Sequence, residues 1–182
     1  KPYDVIFVGR LAAEKNLPLF LRLMRNLNAK SWREYNALLV GEGELEPEVR
    51  AEITRLCLEE CVRLKPWCER RDLPQVYDQG KVFVVSSHHE GFATTLIEAH
   101  ARGLPAIVTR SSGFCAEFLE GYGGATGLVF QPGDIDSDSF LESLENLIER
   151  YADYAKPCVA KARVFNEDNV LGPIADYFSE SA

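Results

Sequence analysis

Residues 82–99 read VFVVSSHHEGFATTLIEA and combine three structural signals in a short space. The β-branched and aromatic run Val82–Val85 is typical of a fully buried strand. A turn at Gly91 follows, and the residues from about Thr95 to Arg102 have the pattern of a helix. The stretch therefore predicts a strand whose carboxyl end leads through a loop into a helix, which is the repeating unit of α/β proteins.

The same order of strand, loop and helix recurs along the chain. The other predicted strands are Val5–Val8, Ala37–Val40, Val62–Leu64, Ala106–Thr109 and Leu128–Phe130. Apolar residues at helical spacing predict helices near 17–27, 49–56, 73–77, 140–148, 159–165 and 174–178. Continuous apolar strands separated by helices predict a doubly wound parallel sheet of about six strands with helices on both faces. Ligands of such α/β folds bind beyond the carboxyl ends of the strands.

Length and charge limit the classes of function. A chain of 182 residues fits one domain, 1–182, with a proper core. The net charge of −8 argues against nucleic acid as a partner, because phosphate-binding faces carry an excess of Lys and Arg. No apolar run reaches the roughly 20 residues of a transmembrane helix and no signal peptide is evident, so we expect a cytoplasmic protein. The single methionine, Met24, lies inside a helical pattern, which suggests a piece of a longer protein.

The five cysteines contain no Cys-x-x-Cys pair, which favours reduced thiols over a disulfide framework. Cys57 and Cys61 lie four residues apart and are predicted to share a helix face as buried thiols. No regularly spaced additional ligands accompany them, so a zinc site is not expected.

The segment from Glu90 to Glu98 is the strongest candidate site. Backbone N–H groups from Phe92 to Thr95 would point out of the helix start, where the helix dipole favours phosphate. Glu98, two helical turns beyond Glu90, would accept hydrogen bonds from ribose hydroxyls, as acidic residues do in other nucleotide-binding folds. The alternative interpretation is that both glutamates are solvated surface charges.

This segment resembles the paired-glutamate motif, Glu-Gly-Phe-Gly-x-x-x-x-Glu-Ala, of the family-4 type, GT-B fold retaining glycosyltransferases (group 1). Ala93 stands where that motif has its second Gly. Gly9-Arg10-Leu11 with Lys15 resembles the family's opening Gly-Arg-Leu-x-x-x-Lys-Gly, with Asn16 in place of Gly. Further similar segments follow in order: Gly41-Glu42-Gly43, the loops at Gly103-Leu104-Pro105 and at Gly113 with Glu117, and Gly127 to Asp134. Together they cover nearly the whole chain.

The resemblance implies that the chain is the C-terminal, donor-binding domain of such an enzyme. Arg10 and Lys15 would hold the diphosphate, Glu90 the donor sugar and Glu98 the ribose, and Arg71 or Arg70 would lie beside the base. Glu90, Arg10 and Lys15 would be the catalytic residues. The donor-binding residues would be Gly9, Gly91, Phe92, Ala93, Thr94, Thr95, Glu98 and Arg71.

The same resemblance implies a nucleotide-diphosphate sugar, UDP- or GDP-linked, as donor, with no metal or other cofactor required. An N-terminal domain outside this chain would bind the acceptor, which is a sugar, lipid or protein in different members. That domain could also bring the protein to a membrane surface. We expect the isolated domain to be inactive alone.

Two other functions fit the sequence. A non-catalytic nucleotide-binding or degenerate transferase module would accommodate the departures at Asn16 and Ala93. A phosphorylase or an epimerase would keep the architecture and change the chemistry, and a phosphorylase would carry a lysine-bound pyridoxal cofactor.

Several weaker motifs are set aside. Gly41-x-Gly43 lacks the third glycine of a dinucleotide fingerprint, and no P-loop is present. The acidic run from Asp134 to Asp138 imitates a calcium loop, but Ser139 stands where the turn demands Gly. We interpret Asp136 or Ser137 as a helix N-cap. His88 and His89 point to opposite sides of an extended chain, so His89 is at most a rim residue.

Overall fold

The computed structural model describes residues 1–121 and 125–165. The six strands are β1 (Tyr3–Val8), β2 (Ala37–Val40), β3 (Val62–Lys65), β4 (Gly80–Val85), β5 (Ala106–Thr109) and β6 (Gly127–Phe130). The α-helices are α1 (Leu17–Lys30), α2 (Glu46–Arg55), α3 (Leu73–Tyr77), α4 (Thr94–Ala101), α5 (Phe114–Glu120), α6 (Asp138–Glu149) and α7 (Ala155–Ala162). The predicted helix at 174–178 lies outside the described residues.

All strands pair in parallel, in the order β3-β2-β1-β4-β5-β6. The chain adds strands outward on one side from β1 to β3, and on the other side from β4 to β6. The strand order therefore reverses between β1 and β4, which is the position where open α/β sheets bind ligands. The prediction of a six-stranded, doubly wound parallel sheet is confirmed.

Each face of the sheet carries its own core, because successive side chains of a strand point to opposite faces. Val5 and Phe7 of β1 pack in a cluster with α1, α2 and α6, whereas Ile6 and Val8 pack in a cluster with α3, α4 and α5. Helix α7 packs against α4. Burial of both faces explains why the inner strands β1, β2, β4 and β5 read as largely continuous apolar runs.

Two local predictions are wrong. Glu117 was assigned to a loop but lies inside α5, whose residues Cys115, Phe118 and Leu119 are buried. Cys57 and Cys61 do not share a helix face, because α2 ends at Arg55 and Cys57 has a positive φ of 55° that leaves the helix. Cys61 is buried as expected, whereas Cys57 is exposed.

Ser137 occupies the predicted N-cap position of α6 with an extended backbone, but its hydroxyl lies 2.8 Å from that of Ser139 and makes no capping hydrogen bond. The three aspartates of the apparent calcium loop have other partners. Asp136 accepts a hydrogen bond from Nδ2 of Asn26 at 2.8 Å, Asp138 pairs with Lys30 at 2.6 Å, and Asp134 accepts from the N–H of Gln131 at 2.7 Å. Within residues 1–121 and 125–165, no three His, Cys, Asp or Glu side chains form a group that could hold a metal ion.

Candidate functional site

A cavity of about 450 Å³ opens at the carboxyl ends of β3, β2, β1 and β4, across the point where the strand order reverses. The chain segments that follow these four strands supply its walls, together with the start of α4. The lining residues are Val8, Gly9, Arg10, Lys15, Glu42, Trp67, Glu90, Phe92, Ala93, Thr94 and Thr95. The cavity thus lies where the fold favours ligand binding.

Eight of the residues selected from the sequence line this one cavity. They are Gly9, Arg10, Lys15, Glu90, Phe92, Ala93, Thr94 and Thr95. Gly91, Glu98 and Arg71 are not among the lining residues. Residues 80 positions apart in the sequence therefore meet because parallel strands bring their carboxyl ends to one edge.

Lys15 and Glu90 form an ion pair inside the cavity, with Nζ of Lys15 on Oε1 of Glu90. The same Oε1 accepts a hydrogen bond from Oγ of Ser87 at 2.7 Å. The Glu90 side chain is 12% exposed, and among the described residues its Oε2 accepts no hydrogen bond. A fixed carboxylate with one oxygen unoccupied can accept a hydrogen bond from a ligand hydroxyl.

The loop that carries Lys15 is fixed to the end of β4. Oγ of Ser86 donates to the carbonyl of Lys15 at 2.7 Å, and the N–H of His88 donates to the carbonyl of Glu14 at 2.9 Å. These bonds join the segments after β1 and β4 and hold the ion pair in place. His88 and His89 are both exposed, so neither belongs to the wall of the cavity.

Arg10 occupies the mouth of the cavity. Its side chain is 77% exposed and donates to Glu14 four residues later at 2.6 Å. An exposed pair of this kind contributes at most about 1 kcal/mol, so the guanidinium can be drawn to a stronger anion at little cost. Its planar donors suit bidentate binding of phosphate.

Helix α4 begins at Thr94, beside the cavity, and its N-terminal partial positive charge faces that region. The N–H of Thr94 already donates to the carbonyl of Phe92 at 3.1 Å. The N–H of Thr95 makes no hydrogen bond within the described part of the chain. The amide of Thr95 is therefore the better placed of the two to bind an anion.

Glu98 lies one turn further along α4 and faces α3 instead of the cavity wall. Its Oε2 accepts a hydrogen bond from the hydroxyl of Tyr77 at 2.9 Å, and its Oε1 is 3.7 Å from the guanidinium of Arg70. Burial, and then the charge and hydrogen bond of Glu98, raise the pKa of Tyr77, which keeps the phenol protonated as a donor. Arg70, and not Arg71, is the arginine beside Glu98, since Arg71 pairs with Glu69 at 2.9 Å.

Beneath the site, Cys115 is fully buried. Burial, followed by the charge of Glu90, raises the pKa of its thiol to about 11. The side chain is therefore an inert apolar support for the site near neutral pH.

The sequence prediction missed Glu42 and Trp67 as cavity residues. Glu42 reaches the cavity because the segment after β2 packs tightly on the segment after β1. A Cβ on Gly41 would lie 1.9 Å from the carbonyl oxygen of Gly9, and one on Gly43 would lie 2.4 Å from that of Leu11. These two glycines permit close approach of two backbones, which is a different role from a dinucleotide fingerprint.

The backbone conformations at Asn16 and Ala93 show why the protein tolerates these two departures from the family motif. Asn16 has φ 48° and ψ 49°, a left-handed conformation that Asn tolerates better than most side chains do. Ala93 has φ −82° and ψ 89°, which requires no glycine. Neither substitution therefore distorts the loop in which it lies.

Comparison with known proteins places the chain in a family. The model of the family described as glycosyl transferases group 1 matches residues 1–164. A sulfoquinovosyl transferase of Arabidopsis thaliana is 30% identical over 132 residues, which is 72% of this chain and 24% of that protein. A D-inositol 3-phosphate glycosyltransferase of Kineococcus radiotolerans is 31% identical over 158 residues, which is 80% of this chain and 36% of that protein.

Solved structures show the same fold. The pneumococcal O-GlcNAc transferase GtfA, determined with UDP and GlcNAc, superposes with a TM-score of 0.81 at 23% identity over 99% of this chain and 36% of that chain. A lipopolysaccharide outer core galactosyltransferase gives a TM-score of 0.78 at 19% identity, over 100% of this chain and 50% of that chain. The chain thus spans between a quarter and a half of the length of these proteins.

No helix among residues 1–121 and 125–165 is both long and apolar enough to cross a bilayer. The family match covers most of the chain, and the solved structures quoted above share its fold. The chain belongs to the group 1 glycosyl transferases and has the fold of their C-terminal GT-B domain.

Proposed function

We propose that this chain is the donor-binding domain of a retaining glycosyltransferase and that its cavity binds a nucleotide-diphosphate sugar, UDP- or GDP-linked. One observation carries the proposal: Arg10, Lys15, the start of α4 and the carboxylate of Glu90 line a single cavity at the point of strand reversal. Cations and a helix N-terminus suit a diphosphate, and a carboxylate with an unoccupied oxygen suits a sugar hydroxyl.

The electrostatics of the cavity fit the departure of a nucleotide diphosphate. As the glycosidic bond breaks, negative charge grows on the phosphate oxygens while the anomeric carbon becomes cation-like. Arg10 and Lys15 would stabilise the growing negative charge, and the N–H of Thr95 would add a neutral donor. Because an ammonium group has three protons, Lys15 can bind a phosphate oxygen and still donate to Glu90. That contact would keep Glu90 oriented toward the sugar.

An acceptor held by a domain outside this chain would complete the reaction. The cavity is open at the sheet edge, and the chain spans less than half of the curated relatives quoted above. The structure of the pneumococcal transferase with UDP and GlcNAc supports a nucleotide sugar as donor. The retaining outcome, the acceptor class (sugar, lipid or protein) and a cytoplasmic location, at most peripheral to a membrane, belong to the same proposal and rest on the family resemblance.

The backbone at Asn16 and Ala93 supports an active domain over a degenerate one. A degenerate site would be free to lose its charged groups, yet Arg10, Lys15 and Glu90 all remain and two of them are paired. Both departures from the motif also preserve the loop geometry.

Calorimetric titration of the chain with UDP, GDP, ADP and their common sugar conjugates tests the proposal. We expect one diphosphate to bind, and Arg10→Ala to weaken it about tenfold or more through loss of a charged hydrogen bond. Arg50→Ala is the matched control, because Arg50 forms the same kind of exposed pair with Glu46, four residues away, but lies outside the cavity. Equal affinities of the two variants would contradict the assignment of the cavity as donor site.

A further inference from the structure

Tyr77 is a buried phenol whose hydroxyl reaches a carboxylate on the neighbouring helix. It is the last residue of α3, and its ring packs edge-on against that of Phe83 in β4, with the ring centroids 5.8 Å apart. The hydroxyl donates to Oε2 of Glu98 on α4 at 2.9 Å. Because the ring is enclosed by the close-packed core of the α3, α4 and α5 face, its hydroxyl has a fixed position.

Tyr35 provides a comparison for this contact. It is as deeply buried as Tyr77, yet its hydroxyl has no hydrogen-bond partner within residues 1–121 and 125–165. A tyrosine hydroxyl can therefore be buried in this protein without a carboxylate beside it. Burial of Tyr77 does not by itself account for its contact with Glu98.

The carboxylate of Glu98 keeps one oxygen open. Its side chain is 29% exposed, and Oε1 accepts no hydrogen bond within the described part of the chain. The guanidinium of Arg70 lies 3.7 Å from Oε1, beyond hydrogen-bonding distance, and its side chain is 88% exposed. Such an exposed ion pair is weak, so Arg70 can move aside for a ligand at little cost.

Glu98 lies on the helix surface that continues from the cavity. Thr94 and Thr95 line the cavity, and Glu98 follows them by four and three residues, the spacings at which helix side chains are neighbours. A ligand that binds against the start of α4 can therefore extend to Oε1 of Glu98. In the function proposed above, on which this reasoning rests, the part of the ligand at Glu98 is the ribose, whose two hydroxyls can donate hydrogen bonds.

We infer that Tyr77 is a positioning residue, whose hydroxyl holds the Glu98 carboxylate in the orientation that binds the ribose of the donor. A phenol suits this role because it donates a hydrogen bond to one oxygen and leaves the negative charge of the carboxylate in place. A charged acceptor makes a stronger hydrogen bond to the ribose than a neutral one would. The consequence is a preference for ribonucleotides over nucleotides that lack both ribose hydroxyls.

Two nucleotides that differ only in the ribose hydroxyls test this inference by calorimetric titration. The probes are whichever of UDP, GDP and ADP the wild type binds, and the dideoxy form of the same nucleotide, which lacks both hydroxyls. We expect the wild type to bind the ribonucleotide at least about tenfold more tightly. Tyr77→Phe removes only the phenolic hydroxyl, and it should weaken the ribonucleotide about fivefold and the dideoxy form less than about twofold.

Three further variants separate positioning from a general effect on the core. Tyr35→Phe is the matched control, because it removes an equally buried hydroxyl that has no partner, and it should leave both affinities unchanged. In a Glu98→Gln background, Tyr77→Phe should cause little further loss, since the two residues act on one contact. Glu98→Asp keeps the charge but draws the carboxylate away from Tyr77, so it should lose the preference for the ribonucleotide without altering the core.

Three results would overturn the inference and leave the proposed function intact. The first is a Tyr77→Phe variant that weakens both nucleotides equally or neither of them. The second is a Glu98→Asp variant that keeps the full preference for the ribonucleotide. The third is a wild type that binds both nucleotides equally, which would remove the ribose contact that Tyr77 supports. Failure of every nucleotide to bind the wild-type chain would instead overturn the proposed function and this inference with it.

Discussion

Asp4 and Glu90 lie at opposite edges of the same sheet, and both carboxylates contact a lysine. At the amino edge, Asp4 accepts hydrogen bonds from Arg33 at 3.1 and 3.2 Å, from Lys81 at 2.7 Å and from the N–H of Asn36 at 3.2 Å. At the carboxyl edge, the bonds to Glu90 from Lys15 and Ser87 both reach the same oxygen. The two side chains are similarly buried, at 5% and 12% exposure.

The two carboxylates differ in how many of their oxygens accept hydrogen bonds. Both oxygens of Asp4 are occupied, so the cluster ties β1, β4 and the loop before β2 together. Glu90 keeps one oxygen unoccupied among the described residues and lines a cavity. A carboxylate whose partners fill its acceptor sites serves stability, whereas one that keeps an open acceptor beside a cavity is available for a ligand.

The largest expected effect is on the free energy of unfolding, which should fall more when Asp4 loses its charge than when Glu90 does. Asp4→Asn should lower the free energy of unfolding by about 2 to 3 kcal/mol, because it leaves the partly buried Arg33 and Lys81 without their carboxylate. Glu90→Gln should cost less than about 1 kcal/mol, since Lys15 and Ser87 both donate to the same oxygen of Glu90 and one amide oxygen can still accept from both. Urea unfolding of both variants beside the wild type measures this, and equal losses would remove the distinction.

The pH dependence of the unfolding free energy gives a second test of the stabilising role of Asp4. Burial by itself would raise the pKa of Asp4, but the hydrogen bonds from Arg33, Lys81 and Asn36 outweigh it and lower the pKa below the ordinary 3.8. A lowered folded-state pKa contributes stability that is present above 3.8 and is lost as the pH falls through the folded value. The stability gap between wild type and Asp4→Asn should therefore be constant from pH 7 to 5 and shrink below pH 4. A stability difference between the wild type and Asp4→Asn that increased as the pH fell would contradict the lowered pKa of Asp4.

Glu98 provides a test of the ribose assignment. Glu98→Gln should weaken nucleotide binding by about 1 to 3 kcal/mol through the loss of a charged hydrogen-bond acceptor, while Tyr77 can still donate to the amide oxygen. Calorimetric titration of the variant with the nucleotide that the wild type binds measures this loss. Glu120→Gln, an exposed helix glutamate paired with Arg110, is the control. Unchanged affinity in Glu98→Gln would remove this residue from the site.

The smallest expected effect concerns the sugar. If the open oxygen of Glu90 accepts a hydroxyl of the donor sugar, Glu90→Gln should leave the affinity for the nucleotide diphosphate nearly unchanged. The additional affinity of the nucleotide sugar should fall by about 1 kcal/mol. Parallel titrations with the diphosphate and its sugar conjugate give this difference, and a loss shared by both ligands would place Glu90 at the phosphates instead.

The inner strands β1, β2, β4 and β5 could be predicted from the sequence because burial on both faces makes them largely continuous apolar runs. The edge strands β3 and β6 are only partly buried and carry a weaker pattern. Helix α5 could not be predicted, since its seven residues follow Gly113 and give too short a pattern to distinguish from a loop. The end of α2 was extended too far because nothing local signals that Cys57 takes a positive φ.

The site was predictable where it depends on segments that directly follow strands, as with Arg10, Lys15 and Glu90. Glu42 was missed because its place depends on the packing of Gly41 and Gly43 against another loop. The rule that ligands bind beyond the strand ends, applied to β3, would have pointed to Trp67. The contact of Glu98 with Tyr77 and Arg70 depends on how α3 packs beside α4, which no local pattern encodes.

A crystal structure of the chain grown with UDP-glucose or GDP-mannose would show directly whether the cavity is the donor site. We expect the diphosphate in the cavity between β1 and β4, within hydrogen-bonding distance of Arg10, Lys15 and the N–H of Thr95, and the sugar beside Glu90. A nucleotide sugar bound outside this cavity, or bound there with its sugar away from Glu90, would contradict this assignment.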